Sequence, residues 1–398
     1  MKTLEMKTLK KLVRLICGGL LLFGCSTTTP SIVIPEIDVS KEYPEKEINV
    51  QDVAEIEYIP LESTEEMLLD KYNQIAAVTD KRIVAYNSVE GDIFIFGRDG
   101  KAISRFNRRD GSAEGHDYIK QIIYDDKSNE VFIYDHRNKI KVYSEKGEYL
   151  RMLTIPARTY FKFYNFDEQT ILEYDEFSKT AKEDYSTRPY VFISKKDGQT
   201  VSTLDFTLPI RYSPRVPITI DGYPDMVDVF NVLILSNNWH DGEDLLIADQ
   251  SSDTVFQLTK DKRLIPLIAR KPSIHSYPPE LRIFLTPVIK TEKFIVFEKT
   301  VFDAEKLKRN AESISRSNLL YRFDDGEISE VLFKNADCLF LELDFLDINI
   351  AKNTGAVLID PLEITNYLNR DNVEGELKKV ALNLKDDDNP VLMIVKFK

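Results

Sequence analysis

The chain has 398 residues, 43% hydrophobic and 30% charged, with 15 Gly and 17 Pro. That composition excludes disordered, collagen-like and fibrous chains, and the length permits one large domain or two to three smaller ones. The formal charge of −13 repels phosphate backbones and argues against a nucleic-acid partner.

Residues 1–24 read as a leader rather than as part of the fold. Lys2, Lys7, Lys10, Lys11 and Arg14 form a basic start, and Leu15–Phe23 is an apolar stretch too short to span a bilayer as a helix. The stretch ends in Leu22-Phe23-Gly24-Cys25, which resembles a lipobox, the processing signal of bacterial lipoproteins. The resemblance implies that Cys25 is acylated, becomes the new N-terminus and holds the protein to a lipid bilayer. The other reading is an ordinary secretory signal with an incidental Cys. The leader carries five Lys/Arg and one Glu, a net +4, so the remainder carries −17. Residues 25–46 are polar and punctuated by Pro, and read as a flexible tether. Ser26 is not Asp, and no acidic cluster directly follows Cys25. For such lipoproteins that implies an outer-membrane location facing the periplasm. Cys338 is then the one Cys left beside Cys25. It lies in an apolar run and reads as a buried structural thiol.

An internal repeat occupies much of residues 47–398. Arg82-Ile-Val-Ala-Tyr-Asn87 and Asp92-Ile-Phe-Ile-Phe-Gly-Arg-Asp-Gly-Lys101 match Glu130-Val-Phe-Ile-Tyr-Asp135 and Lys139-Ile-Lys-Val-Tyr-Ser-Glu-Lys-Gly-Glu148. Gly100 and Gly147 are equivalent, 47 residues apart, and final strands follow at Ala102–Phe106 and Tyr149–Leu153. Each unit reads as strands joined by polar and Gly turns, with alternating positions that fit half-buried strands. Weaker copies follow at Tyr190–Gly198, Asp253–Leu264 and Leu319–Gly326.

Four antiparallel strands per 45 to 50 residues is the arithmetic of a propeller blade. Of the 374 residues after the leader, six units of 47 occupy 282 and leave 92. Seven would leave 45, so a six-bladed all-β propeller is preferred and seven blades stay open. The alternating segment 54–61 and the apolar tail 390–398 are expected to share the closing sheet. Helices are expected at 361–369 and 373–384, and 303–316 reads as a polar helix or a loop.

Residues Ile93–Phe106, Val131–Leu153, Asp253–Leu258 and the tail Leu377–Lys398, with its Lys385-Asp-Asp-Asp-Asn-Pro-Val-Leu, carry a wider resemblance. The chain resembles the six-bladed β-propeller lipoproteins of Gram-negative bacteria, a family of uncharacterised function related to NHL-repeat propellers. Members carry a Gly-Pro-Gly-rich turn between the first two blades. The segment Arg108–Tyr118 keeps Gly111 and Gly115 but lacks the Pro.

No nucleotide cradle, zinc spacing or nucleophile elbow is present, so no cofactor and no metal is expected. His116, His136, His240 and His275 are too far apart in sequence for a helical metal pair, and Asp386–Asp388 lacks the alternation of a calcium loop. Turns between second and third strands often crowd a propeller's channel. Asn87, His136, Arg137 and Asn138 are therefore candidate ligand contacts, with ordinary hairpin polarity as the alternative. Trp239 and His240, beside Gly242, are further candidates for stacking on a sugar or a partner, against a core Trp. Two functions follow. One is a binding or scaffolding module for an envelope protein, peptide or glycan. The other is a propeller-type lyase, lactonase or glycoside hydrolase, for which Asp92 and Asp135 are the nearest carboxylates.

Overall fold

Ile83-Val-Ala-Tyr86 and Ile93-Phe-Ile-Phe96 are apolar at every position and buried throughout. Successive strand side chains point to opposite sides, so such runs need cover on both faces of their sheet. Small sheets packed face to face around a ring supply it. The computed structural model describes residues 34–155, 161–175, 187–211, 215–220, 223–231, 238–241, 244–278, 280–308, 313–346, 348 and 350–398, with backbone alone from 215 to 241. The leader and Cys25 lie outside the described residues.

The N-terminal strands are β1 (Glu36–Asp38), β2 (Glu45–Asn49) and β3 (Ala54–Pro60), with a short helix at Val50–Val53. Blade one is β4 (Asn73–Val78), β5 (Arg82–Asn87), β6 (Asp92–Gly97) and β7 (Ala102–Asn107). Blade two is β8 (Ile119–Asp125), β9 (Glu130–Asp135), β10 (Ile140–Ser144) and β11 (Tyr149–Leu153). Blade three is β12 (Phe161–Asn165), β13 (Thr170–Asp175), β14 (Tyr190–Ser194) and β15 (Thr200–Thr203). A hairpin of β16 (Arg215–Ile220) and β17 (Tyr223–Asn231) follows. Blade four is β18 (Asn238–Asp241), β19 (Asp244–Ile247), β20 (Thr254–Leu258) and β21 (Leu264–Lys271). Blade five is β22 (Leu281–Lys290), β23 (Phe294–Asp303), β24 (Ile314–Arg322) and β25 (Ile328–Lys334). Blade six joins β26 (Thr354–Ile359), β27 (Val391–Phe397) and β3. The result is a six-bladed β-propeller.

The core is divided among the blade interfaces. Ile83, Ala85, Phe94 and Phe96 of blade one pack with Ile59, Leu392 and Ile394 of blade six. The alternate residues Val84, Tyr86, Ile93 and Ile95 pack with Ile122, Tyr124, Val131 and Ile133 of blade two. Phe132, Tyr134 and Val142 then meet Phe161, Phe163 and Ile171 of blade three. The half-buried alternation expected for every strand therefore holds only in outer strands such as β7 and β11. Second strands such as β5, β9 and β13 are buried on both sides almost throughout.

The ring closes through the two ends of the domain. β27 pairs antiparallel with β3, from Val391 opposite Pro60 to Phe397 opposite Ala54. Asn389, fully buried, ties the seam further: its Oδ1 accepts from Leu69 N at 2.7 Å and its Nδ2 donates to Glu62 O at 2.9 Å. Before reaching the seam, the chain adds β1 in parallel to the outer edge of β21 and β2 in parallel to that of β25. Part of the segment read as a flexible tether, 25–46, is thus structured. Ile37 and Val39 are fully buried, and Lys271 and Glu36 pair at 2.9 Å.

Two local devices recur. The third turn of each of the first five blades holds a residue at positive φ: Gly100, Gly147, Gly198, Lys262 and Gly326. At Gly147 and Gly198 space matters as well, since a Cβ would sit 2.6 Å from Phe106 of blade one and 2.7 Å from Thr154 O after β11. At or just after the end of most second strands, and after β26, an Asn or Asp caps the next connection. Asn87 accepts from Val89 N and Glu90 N, Asp135 from Lys139 N, Asp249 from Ser251 N, Asp303 from Glu305 N and Asp360 from Leu362 N, at 2.8–3.1 Å. After Asp360 come the expected helices, Pro361–Asn369 and Gly375–Ala381, while 303–316 divides into a short helix, Ala304–Lys308, and the start of β24. Cys338 is 1% exposed, and burial raises its thiol pKa.

Deleting residues 390–398 removes β27 and leaves the hydrogen-bonding edges of β3 and β26 open. Thermal unfolding followed by circular dichroism should show a large loss of Tm or no cooperative transition. An unchanged Tm would disprove closure by this strand.

Candidate functional site

In an up-and-down blade, first and third turns lie at one end and second turns at the other. The first turns of blades one, two and three and the segment before β26 of blade six converge on a cavity of about 940 Å³. Its lining includes Thr79 and Asp80, Asp125–Lys127, Asn165–Gln169 and Ile350–Lys352, with Asp244 and Lys260 from blade four. Carboxylates outnumber cations here: Asp80, Asp125, Asp126, Asp167, Glu168 and Asp244 against Lys127, Lys260 and Lys352. A narrower groove of about 340 Å³ shares Val78–Asp80, Ile350 and Ala351 with this cavity. It runs along the seam between blades six and one, past Glu57 and Arg98.

Several of these acids also build the fold. Asp167 accepts from Gln169 N and Thr170 N at 2.8 and 2.6 Å, closing its own turn. Asp126 accepts from Thr79 Oγ1 at 2.8 Å, and Glu168 pairs with Lys127 at 3.2 Å. Asp125 and Lys195 form a buried pair at 2.7 Å between blades two and three. Burial pushes the Asp125 carboxyl up, but the hydrogen bond and charge of Lys195 outweigh it and hold the pKa below the usual range. Asp80 is exposed at the lip of the cavity.

Lys195 belongs to a pattern that the repeat makes visible. The second residue of the third turn reaches back to the preceding blade in three successive blades. Arg98 pairs with Glu57 of blade six at 2.8 Å, Glu145 with Arg82 of blade one at 2.8 Å, and Lys195 with Asp125 of blade two. Tyr124 also donates to Glu145, at 2.7 Å. These pairs stitch the blades together on the face of the cavity.

The residues chosen from the sequence fall mainly at the opposite end. Asn87 is 3% exposed; its Nδ2 donates to both Asp70 carboxylate oxygens at 3.1 Å, before β4, and its Oδ1 caps its own turn, so its side chain is taken up within the blade. His136 and Arg137 are exposed, and Arg137 pairs with Asp117 at 2.8 Å. Asn138 stands at φ 58° and accepts from Lys120 Nζ and Tyr134 Oη at 2.7 and 2.9 Å. Trp239 and His240 lie in β18 opposite Leu246 and Leu245, and their side chains lie outside the described residues. Asp92 accepts from Arg105 Nε at 3.0 Å, and Asp135 caps its turn. The cavity-lining acids carry a signal in the sequence, because Thr79-Asp80, Asp125-Asp126-Lys127 and Asp167-Glu168 each end one or two residues short of a second strand. Reading the repeat from its second strand backwards would have found them.

Between blades one and two, on the end away from the cavity, His116 is 4% exposed. Its Nδ1 lies 2.8 Å from Asp117 O, so Nδ1 carries the proton, and the buried Nε2 has no hydrogen-bond partner. Burial lowers its pKa, against the Asp117 carbonyl and the negative charge of Asp135, which raise it; Lys141 adds to the lowering. The folded chain therefore takes up this proton less readily than the unfolded chain. The contribution of neutral His116 is complete above the ordinary histidine pKa of about 6.5 and is lost as pH falls below it, with a slope of up to about 1.4 kcal/mol per pH unit. Denaturant titrations from pH 8 to 5 should show a smaller loss of stability in His116→Gln than in the parent chain. Equal slopes would contradict this assignment.

No curated protein matches the chain in sequence. Among solved structures it is similar to a "Putative exported protein" from Bacteroides fragilis, with TM-score 0.61 and 10% identity, covering 92% of this chain and 100% of that one. At that identity the likeness concerns the fold alone. A member of the DUF4221 family from Bacteroides vulgatus has TM-score 0.47 at 11% identity, covering 87% and 97% of the two chains. An inactive virginiamycin B lyase of Staphylococcus aureus has TM-score 0.36 at 11% identity, covering 85% and 99%. The family model described as a domain of unknown function, DUF4934, matches residues 34–396, and the chain belongs to that family.

Proposed function

We propose that the protein is a binding module of the bacterial cell envelope, held to the outer membrane by acylated Cys25 and facing the periplasm. Its ligand site in this reading is the cavity where the first turns converge. The observation that carries the reading is the excess of carboxylates around about 940 Å³ of open volume near the ring axis. Such a mouth favours a cationic ligand and repels anionic ones. A peptide segment bearing Lys or Arg, supplied by an envelope partner, fits both the sign and the adjoining seam groove. The Gly24-Cys25 sequence supports the anchor, and the protein of like fold from Bacteroides fragilis is itself described as a "Putative exported protein". The described helices include none long and apolar enough to cross a membrane.

Asp80 and Glu168 are the acids to change, because Asp80 is exposed and Glu168 is exposed and pairs with an exposed Lys127. Isothermal titration with a tetralysine peptide should give saturable binding that weakens about tenfold in Asp80→Asn/Glu168→Gln. That corresponds to about 1.4 kcal/mol. Binding should also fall with added salt. No binding, or binding indifferent to the double variant, would overturn the site. Mass spectrometry of the N-terminal peptide tests the anchor separately, since an unmodified Cys25 would refute it.

A further inference from the structure

Leu339 and Phe340 are two adjacent large apolar side chains that the fold leaves in the open at the end of the ring opposite the cavity. Leu339 is 58% exposed and Phe340 59%. They form the tip of a turn whose base is fixed. Cys338 N donates to Asn335 O at 3.0 Å, Leu341 N donates to Cys338 O at 3.2 Å, and both Cys338 and Leu341 are buried. Phe340 is held as well. Its ring stacks on Tyr367 of the helix Pro361–Asn369, with centroids 5.7 Å apart and planes 20° from parallel, and the Tyr367 hydroxyl donates to Phe340 O at 3.4 Å. An exposed aromatic already fixed in place loses little further freedom on contact with a partner, and such anchors dominate interface energetics.

The charges around this pair select the occupant. Glu363 lies one helical turn before Tyr367 on the same helix and within electrostatic reach of Asp360 and Glu342. Arg370 acts on Tyr367 from the helix end. The rim is therefore mainly anionic. A second copy of this chain would bring the same carboxylates against themselves, and an anionic lipid surface would meet the same repulsion. Charge complementarity requires a cationic partner.

We propose that Leu339, Phe340 and Tyr367 dock a partner protein through a segment that presents an apolar side chain between Lys or Arg residues. This surface lies at the opposite end of the blades from the cavity, and it stands or falls without it.

The probe is a random heptapeptide library on phage, selected against the full soluble chain from residue 26. Enriched sequences should place an aromatic or aliphatic residue between basic ones. Synthetic versions should lose at least tenfold in affinity to Phe340→Ser and several-fold to Glu363→Gln. Val201→Ser, which alters an apolar side chain 54% exposed on β15, should leave affinity unchanged. Circular dichroism confirms that each variant is folded. Four results would overturn the proposal. They are no enrichment of basic sequences, enriched peptides indifferent to Phe340→Ser, a dimer in sedimentation that Phe340→Ser dissolves, and Phe340-dependent binding to vesicles of anionic lipid.

Discussion

The antiparallel pair of β3 and β27 is the constraint on which the rest of the structure depends. A single blade cannot cover its own second and third strands, so each relies on its neighbours. Because each interface core is shared by adjacent blades, a ring with an open end leaves Ile83, Ala85, Phe94 and Phe96 facing water on one side and Ile59, Leu392 and Ile394 on the other. Closure also asks for the largest separation in sequence, since the paired residues Ala54 and Phe397 lie at opposite ends of the domain. The chain reinforces this junction beyond strand pairing. Asn389 binds the segment after β3, and the residues before β3 run along the outer edges of blades four and five.

Much of this was legible in the sequence, and the legible part has a common cause. The paired runs at 82–101 and 130–148 share both their apolar pattern and their Gly turns, because every blade faces the same two demands, burial on both sides and a tight third turn. The apolar tail 390–398 announced itself because no exposed strand carries so many aliphatic residues. The parallel edge strands were not legible. Glu36–Asp38 and Glu45–Asn49 are short and charged, and their pairing is decided by the neighbouring edge rather than by their own composition.

The site was less legible than the fold, for a related reason. Polar residues in hairpins look alike in sequence whether they cap a backbone or face a ligand. Asn87 and Asp135 turned out to be occupied by their own turns, in a pattern shared by most blades. The acids that line the cavity are distinguished only by the end of the blade on which they lie, and assigning that end requires the order of strands within each unit. Charge makes a similar double use of the third turns. Arg98, Glu145 and Lys195 differ in sign yet occupy one structural position, each matched by an opposite charge on the blade before. The repeat thus preserves the contact while the residue types drift.

Hydrogen exchange on the intact chain, read by mass spectrometry, tests the closed ring most directly. Terminal strands usually fray, and their amides then exchange long before the protein unfolds. In a closed ring the amides of residues 54–60 and 391–397 are as protected as those of the central strands β5 and β9, and are released together with them. Rapid exchange in either terminal segment while β5 and β9 remain protected would show that the ring does not depend on that pair.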